Sequence, residues 1–213
     1  MINVKCFVFN MLQENCYIVS DETREAVIID CGAYYDAERQ AVVDYVREHQ
    51  LTVQHLLCTH GHFDHCFGND TVWHTFGVGP EISEKDSCLM DIDAQMRSMM
   101  GVGFGRESAP VRRFFEEDET VSFGTHHLQV LPTPGHTPGG VSFYCKEEKL
   151  VFTGDTLFRM SVGRTDFDGG SWNDLHDSLA KVLAKLPADT TVMPGHGPKS
   201  RIGEELQMNP YLR

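Results

Sequence analysis

Thr59-His60-Gly61-His62-Phe63-Asp64-His65 is the stretch on which the reading of this chain turns. Three histidines and an aspartate fall in the pattern HxHxDH, a density of ligand-type side chains that ordinary composition does not produce by chance. The segment from Val53 to Cys58 leads into it and reads as a strand. On extended backbone, residues i and i+2 point the same way, so His60 and His62 can grip one cation side by side. Asp64 and His65 fall where the chain is expected to turn into a helix, and they can face a second cation.

Three later segments carry the same kind of side chain between or beside glycines: Gly135-His136-Thr137, Gly154-Asp155-Thr156 and Gly195-His196-Gly197. Each ends a predicted strand, and glycine permits the tight turns that aim such side chains into a cleft. Taken alone, a histidine in such a turn is more often a hydrogen-bonding loop residue, and Asp155 alone reads as a cap. Four segments of this kind at strand ends point instead to a metal centre. His49, His55, His74, His126, His127 and His176 have no such company and read as surface or core histidines.

Between these segments the chain alternates apolar strands with polar turns. Val4 to Phe9, Cys16 to Val19 and Ala26 to Asp30 predict an opening antiparallel meander. Val42, Val43 and Val46 recur at helical spacing among charges, which predicts an amphipathic helix over Asp36 to His49. Further strands are expected at Leu128 to Leu131, Val141 to Cys145, Leu150 to Thr153 and Thr191 to Met193. A last helix is expected from Trp172 to Leu186, with Ser171 and Asp174 as a capping box and Pro187 as its stop.

Residues 81–119 differ in texture, with Met90, Met96, Met99 and Met100 ahead of the run Gly101-Val102-Gly103-Phe104-Gly105. A helix followed by a mobile glycine loop is expected. We read 83–116 as a lid or insertion within one domain spanning 1–213, with Met90 to Gly105 as a cover offering an adaptable apolar wall to an acyl chain. The competing reading of that segment is a helix packed in the core, or at a dimer contact, with a flexible loop after it.

The 213 residues suffice for a sizeable core without disulfide staples. With 41% hydrophobic and 23% charged residues, the composition is that of a soluble globular protein. Eighteen Lys and Arg against 31 Asp and Glu leave a net charge of -13, which disfavours unaided binding to nucleic acid or anionic lipid. No apolar run approaches the ~20 residues of a membrane span, and no signal peptide is visible, so a cytoplasmic protein is expected. The cysteine count is odd, 7 in all, without a CxxC pair. Each is expected to be a reduced, small buried hydrophobe.

The motif and its three companions resemble the metallo-β-lactamase superfamily, from Ile28-Ile29-Asp30 to Gly195-His196-Gly197. That resemblance implies an α+β fold, a four-layer αβ/βα sandwich with its site along one edge of two packed sheets. It also implies that His60, His62 and His136 hold one metal, that Asp64, His65 and His196 hold the other, and that Asp155 bridges them. Gly154-Asp155-Thr156-Leu157-Phe158 followed by Ser161-Val162-Gly163-Arg164 is most similar to glyoxalase II, the hydroxyacylglutathione hydrolases. Arg164 stands where those enzymes have a glutathione-gripping Lys, and Asp166 where they have a Tyr. With no appended helical domain, the chain resembles the short, single-domain glyoxalase II-like proteins.

Two divalent ions, zinc by expectation with iron or manganese as alternatives, would lower the pKa of a shared water from ~15.7 toward ~7. The expected nucleophile is that hydroxide, with Asp64 also orienting it. A thiolate, from a thiol of pKa ~8.5, departs with little protonation, whereas an amide nitrogen needs an acid. The expected substrate is therefore a small-molecule thioester or an activated ester such as a lactone. Arg164 is placed at the substrate mouth, against a salt bridge to Asp166 or Asp168, and Asp30 is a candidate for fixing a histidine tautomer. The rivals are an iron-dependent persulfide dioxygenase, a nucleic-acid-cleaving relative and a non-catalytic metal-binding module.

Overall fold

The computed structural model describes residues 1–116 and 118–212. Strands β1 (Asn3–Phe9), β2 (Glu14–Ser20), β3 (Glu25–Ile29), β4 (Thr52–Leu57), β5 (Pro80–Ile82) and β6 (Arg113–Phe114) form one sheet in sequence order. The first three are antiparallel, as the alternating pattern predicted, and β3 to β6 continue in parallel. A second sheet is built from β7 (Thr120–Phe123), β8 (His126–Pro132), β9 (Val141–Cys145) and β10 (Leu150–Gly154). After a short hairpin of β11 (Leu157–Phe158) and β12 (Ser161–Val162), the chain adds β13 (Thr191–Pro194) and β14 (Ser200–Arg201) to it, in the order β14-β13-β10-β9-β8-β7.

Side-chain parity along the central strands decides the layering. In β2 and β3, Tyr17, Val19, Val27 and Ile29 face inward onto Phe123, Leu128, Phe143 and Phe152 of the second sheet. Their neighbours Cys16, Ile18, Ala26 and Ile28 face the other way, onto Val42 and Val46 of α1 (Asp36–Glu48). The second sheet repeats the arrangement, with Tyr144, Val151 and Val192 turned outward onto Leu175, Leu179 and Ile202. Two sheets, each covered by helices on its outer face, give the four-layer sandwich, and their central strands are buried on both sides because each face has a partner. A buried valine such as Val42 contributes about 1.5–3 kcal/mol through area removed from water.

The remaining helices are α2 (Phe63–Cys66), α3 (Asn69–Phe76), α4 (Ile92–Met100), α5 (Trp172–Asp177) and α6 (Ile202–Met208), with a 3-10 helix over Glu84–Met90. The segment 83–116 is only partly a free cover. Met90, Met96 and Phe104 pack with Phe63, Phe67 and Ile82 in a core of their own, while Met99, Met100 and Val102 are exposed. The predicted helix 172–186 is not continuous: α5 gives way to a π-type turn at Ser178–Val182 and a 3-10 turn at Leu183–Lys185. Leu175, Leu179 and Leu183 repeat every four residues and all are fully buried, and the wider turn keeps that spacing on one face. The Ser171 hydroxyl accepts from the Asp174 backbone N–H, one arm of the expected box. Cys16, Cys31, Cys58, Cys66 and Cys145 are buried free thiols, but Cys6 and Cys88 are exposed, contrary to the expectation for every cysteine. Among the described residues, no helix is long and apolar enough to cross a membrane.

Candidate metal centre

The segments that carry ligand-type side chains all leave the same edge of the two sheets. β4 runs into His60 and His62, β8 precedes His136, β10 delivers Asp155 and β13 delivers His196. Asp64 and His65 lie on α2, which starts directly after His62. The structure thus brings together all seven side chains singled out in the sequence.

They fall into two groups. His60, His62 and His136 place ring nitrogens within 4.8 Å of one another, and so do the ligand atoms of Asp64, His65 and His196. His62 Nδ1 is 2.9 Å from His136 Nε2, and His65 Nε2 is 3.3 Å from His196 Nε2. Asp155 stands between the groups with one oxygen toward each: Oδ1 is 3.3 Å from His65 Nε2, and Oδ2 is 3.5 Å from His136 Nε2. Asp64 Oδ2 lies 3.4 Å from His196 Nε2. Gly195 permits this approach, since a Cβ there would sit 2.4 Å from Asp155 Oδ1.

Four of the five rings, those of His60, His65, His136 and His196, are oriented from behind by a partner on the nitrogen that faces away from the group. His136 Nδ1 donates to the Arg164 carbonyl at 2.7 Å, and His196 Nδ1 to the Leu12 carbonyl at 3.1 Å. His65 Nδ1 donates to Asp30 Oδ2 at 3.0 Å. The Thr59 hydroxyl donates to the same Asp30 oxygen at 2.6 Å and accepts from His60 Nδ1 at 3.0 Å. These assignments leave Nε2 of His60, His65, His136 and His196 as lone-pair donors. Among the described residues, His60 Nε2 and Asp155 Oδ1 are buried without a hydrogen-bond partner, which is costly for a polar atom and natural for a metal ligand. The donor set therefore fits two cations.

Electrostatics divide the groups. Burial, reinforced by His65, His62 and His136, holds His60 well below the usual histidine range, and burial with His136 brings His62 down to about 4. Both are thus neutral, the form that binds metal. For Asp155, burial opposes ionisation, but the adjacent His65 outweighs it and keeps the carboxyl below the usual carboxylate range. Burial likewise opposes charge on His65, and there Asp155 and Asp64 win and raise it, so a proton competes with a cation at that ring.

The edge opens into a cleft of about 400 Å³. Leu12, Phe63, Met99, Phe158, Val162 and Phe167 give it an apolar wall. Arg164 also lines it, with its exposed guanidinium in a two-pronged pair to Asp166, each contact 2.6 Å, and stacked 4.2 Å over the Phe167 ring. The remaining histidines lie apart: His49 on the Tyr45 carbonyl, His55 on Glu81, His126 between Asp21 and Glu148, His127 on Ser122, and His74 and His176 against the rings of Trp73 and Trp172.

Sequence reading missed the supports contributed by the N-terminal hairpin. Asn10 donates to the Asp64 carbonyl at 2.9 Å, and Asn15 to the Pro194 and Gly197 carbonyls at 2.9 and 2.8 Å. Glu14 is fully buried among Asp30, Asp64 and His65, and burial pushes its carboxyl well above the usual range. Polar residues in a strand-forming stretch were the available signal, and it does not say what they touch.

Comparison with known proteins extends over the whole chain. The metallo-beta-lactamase superfamily model matches residues 10–196. Hydroxyacylglutathione hydrolase GloC of Haemophilus influenzae is 35% identical over 99% of this chain and 98% of its own. Among solved structures, BLEG-1 B3 metallo-beta-lactamase superposes with a TM-score of 0.89 at 33% identity, covering 100% of this chain and 99% of that one. TTHA1623, solved in a di-iron-bound form, does so with a TM-score of 0.84 at 36% identity, over 98% and 100%. Residue pattern, two-sheet architecture and full-length similarity converge, and the chain belongs to the metallo-beta-lactamase superfamily.

Proposed function

We propose that this protein is a dinuclear metal-dependent thioester hydrolase of the glyoxalase II-like kind, with zinc as its metal. The observation that carries the reading is the inventory of the cleft. Among the described residues, the ionisable side chains lining it are His62, Asp64, His136, Asp155, His196 and Arg164. All but Arg164 are candidate ligands, which leaves no carboxylic acid or imidazole to protonate a poor leaving group. A thiolate needs no such proton. Cations bound at the two groups would supply a nucleophilic hydroxide at neutral pH and polarise the substrate carbonyl.

The chain's own residues do the rest. Asp64 Oδ2, at the inner edge of the cleft, is positioned to hold the attacking water by accepting its proton in a hydrogen bond. Asp155 fixes the spacing of the two groups through its two oxygens, and the backbone carbonyls of Arg164 and Leu12 keep His136 and His196 aimed. The apolar wall, with Met99 on its rim, accommodates the acyl group and excludes water from one side of it. The similarity to a hydroxyacylglutathione hydrolase supports a thioester of that type as the first substrate to try.

Zinc-loaded protein of measured metal content, assayed against a panel of thioesters, esters, lactones and amides, tests the proposal. Turnover of thioesters well above amides is expected, and turnover of amides alone overturns it. The similarity to a structure solved with two irons is compatible with a second reading, an iron-dependent persulfide dioxygenase. Oxygen consumption by iron-loaded protein, without thioester hydrolysis by the zinc form, would establish that reading.

A further inference from the structure

Apart from Asp30 and Asp155, which reach both, the two ligand groups are held by different parts of the chain, and the division has a source in the segment between β5 and β6. Asp86, in the 3-10 helix Glu84–Met90, is fully buried. Its Oδ2 accepts from the Gly61 backbone N–H at 3.1 Å and from the Thr137 hydroxyl at 2.7 Å, and its Oδ1 accepts from the Gly139 N–H at 2.6 Å. One carboxylate thereby ties the loop bearing His60 and His62 to the loop bearing His136. Gln95 on α4 completes the hold, donating to the Gly61 carbonyl at 2.8 Å and to the Leu89 carbonyl. The third side of Gly61 is closed by Leu89, whose Cβ is 2.6 Å from where a Cβ on residue 61 would lie. The peptide between the two histidines of the motif is thus fixed at N–H, carbonyl and Cα by one segment.

The second group has other supports. Asn10 holds the Asp64 carbonyl, Asp30 holds His65, and Leu12 and Asn15 hold the loop of His196. Neither Asp86 nor Gln95 has a hydrogen bond to Asp64, His65 or His196.

We infer that Asp86 and Gln95 are positioning residues for the His60, His62 and His136 group alone, so that residues 84–95 set the metal affinity of one half of the centre independently of the other. The inference rests on the reading that the seven side chains hold metal, and extends it to residues that touch neither metal nor substrate. Hydrogen bonds to the backbone of ligand loops act by restricting where the imidazoles point, and loss of such support typically costs about 10–100-fold in metal affinity.

The test is zinc titration of Asp86→Ala, Asp86→Asn and Gln95→Ala, with chelator competition for affinity and long-range imidazole ¹⁵N spectra to show which rings are coordinated. Wild type should take up two ions. In the variants, His65 and His196 should show metal-bound shifts with affinity unchanged, while His60, His62 and His136 bind about 10–100-fold more weakly. Asp86→Asn, which keeps one acceptor oxygen, should fall between wild type and Asp86→Ala. Asn15→Ala is the reciprocal control and should weaken the His196 group instead. Equal weakening of both groups, or weakening of neither, overturns the inference. Failure of wild type to coordinate metal through these rings would overturn the underlying metal reading instead. Should Asp86→Ala not fold, the same comparison is made on Asp86→Asn and Gln95→Ala.

Discussion

Asp30 Oδ2 receives the Nδ1–H of His65 at 3.0 Å, and both side chains are buried. The same carboxylate accepts from the Thr59 backbone N–H at 2.7 Å and from its hydroxyl at 2.6 Å, so one aspartate reaches both ligand groups. Asp30→Asn has one acceptor oxygen for these donors. Zinc affinity is expected to fall about 10–100-fold, with thioester hydrolysis falling in parallel. Unchanged affinity by chelator competition would show that the Asp30 contact only packs the loop.

His62→Ala and Asp155→Ala should each lower thioester hydrolysis by several orders of magnitude while leaving the far-UV spectrum intact, because they remove candidate ligands at an open edge rather than core volume. His127 is exposed and bonded to Ser122, so His127→Ala should retain activity. A comparable loss at His127 would undo the division between ligands and bystanders.

Arg164 and Asp166 are both exposed, and a pair of that kind contributes little to stability. Arg164→Ala should leave the unfolding midpoint nearly unchanged. If the guanidinium meets substrate, KM rises for thioesters bearing a carboxylate and stays level for neutral ones. Equal KM for both classes would reduce Arg164 to its pair with Asp166.

Arg39 is buried against Asp70, Thr71 and the Phe67 and Tyr34 carbonyls, joining α1 to α3. Arg39→Ala strands the Asp70 carboxylate, with Arg106 no nearer than 3.9 Å. A loss of about 3–5 kcal/mol is expected in urea unfolding. Replacing Arg39 and Asp70 together by apolar residues should restore part of it, and a loss below about 1 kcal/mol in the single variant would show that the pair is solvated in practice.

His126 gives stability a pH dependence away from the centre. Burial opposes its charge, but hydrogen bonds to Asp21 and Glu148 outweigh that and raise it above the usual value. A raised folded value favours the native state fully below the unfolded value, ~6.5. That contribution fades as pH climbs through the folded value. The stability gap between wild type and His126→Ala should therefore be widest near pH 6 and narrow toward pH 9. A gap that widens with pH would reverse the assignment.

The grouping of the candidate ligands was legible in the sequence because its signal is local: HxHxDH fixes spacing on one strand end, and glycines mark the turns at His136, Asp155 and His196. The opening antiparallel strands and α1 were legible from their period. Asp86, Gln95, Asn10 and Asn15 were not, since each acts on backbone far away in the chain and carries no pattern of its own. The break after α5 escaped because four-residue leucine spacing suits a continuous helix nearly as well as a π-type turn. The split of the methionines, Met96 inward and Met99 outward, depends on which face α4 presents to Phe63 and Phe67.

His62 and His136 are 74 positions apart, and His65 and His196 are 131 apart. A growing polypeptide therefore completes the two halves of the centre at different times. The first half needs β8 in place, while the second waits until β13 has emerged and docked beside β10. Metal captured on the finished chain binds the native state and not the open one, so it stabilises the closure of both of these long loops. A chelator added during refolding should then act most on this last step, making the joining of β13 to the second sheet the point at which metal supply governs the yield of native protein.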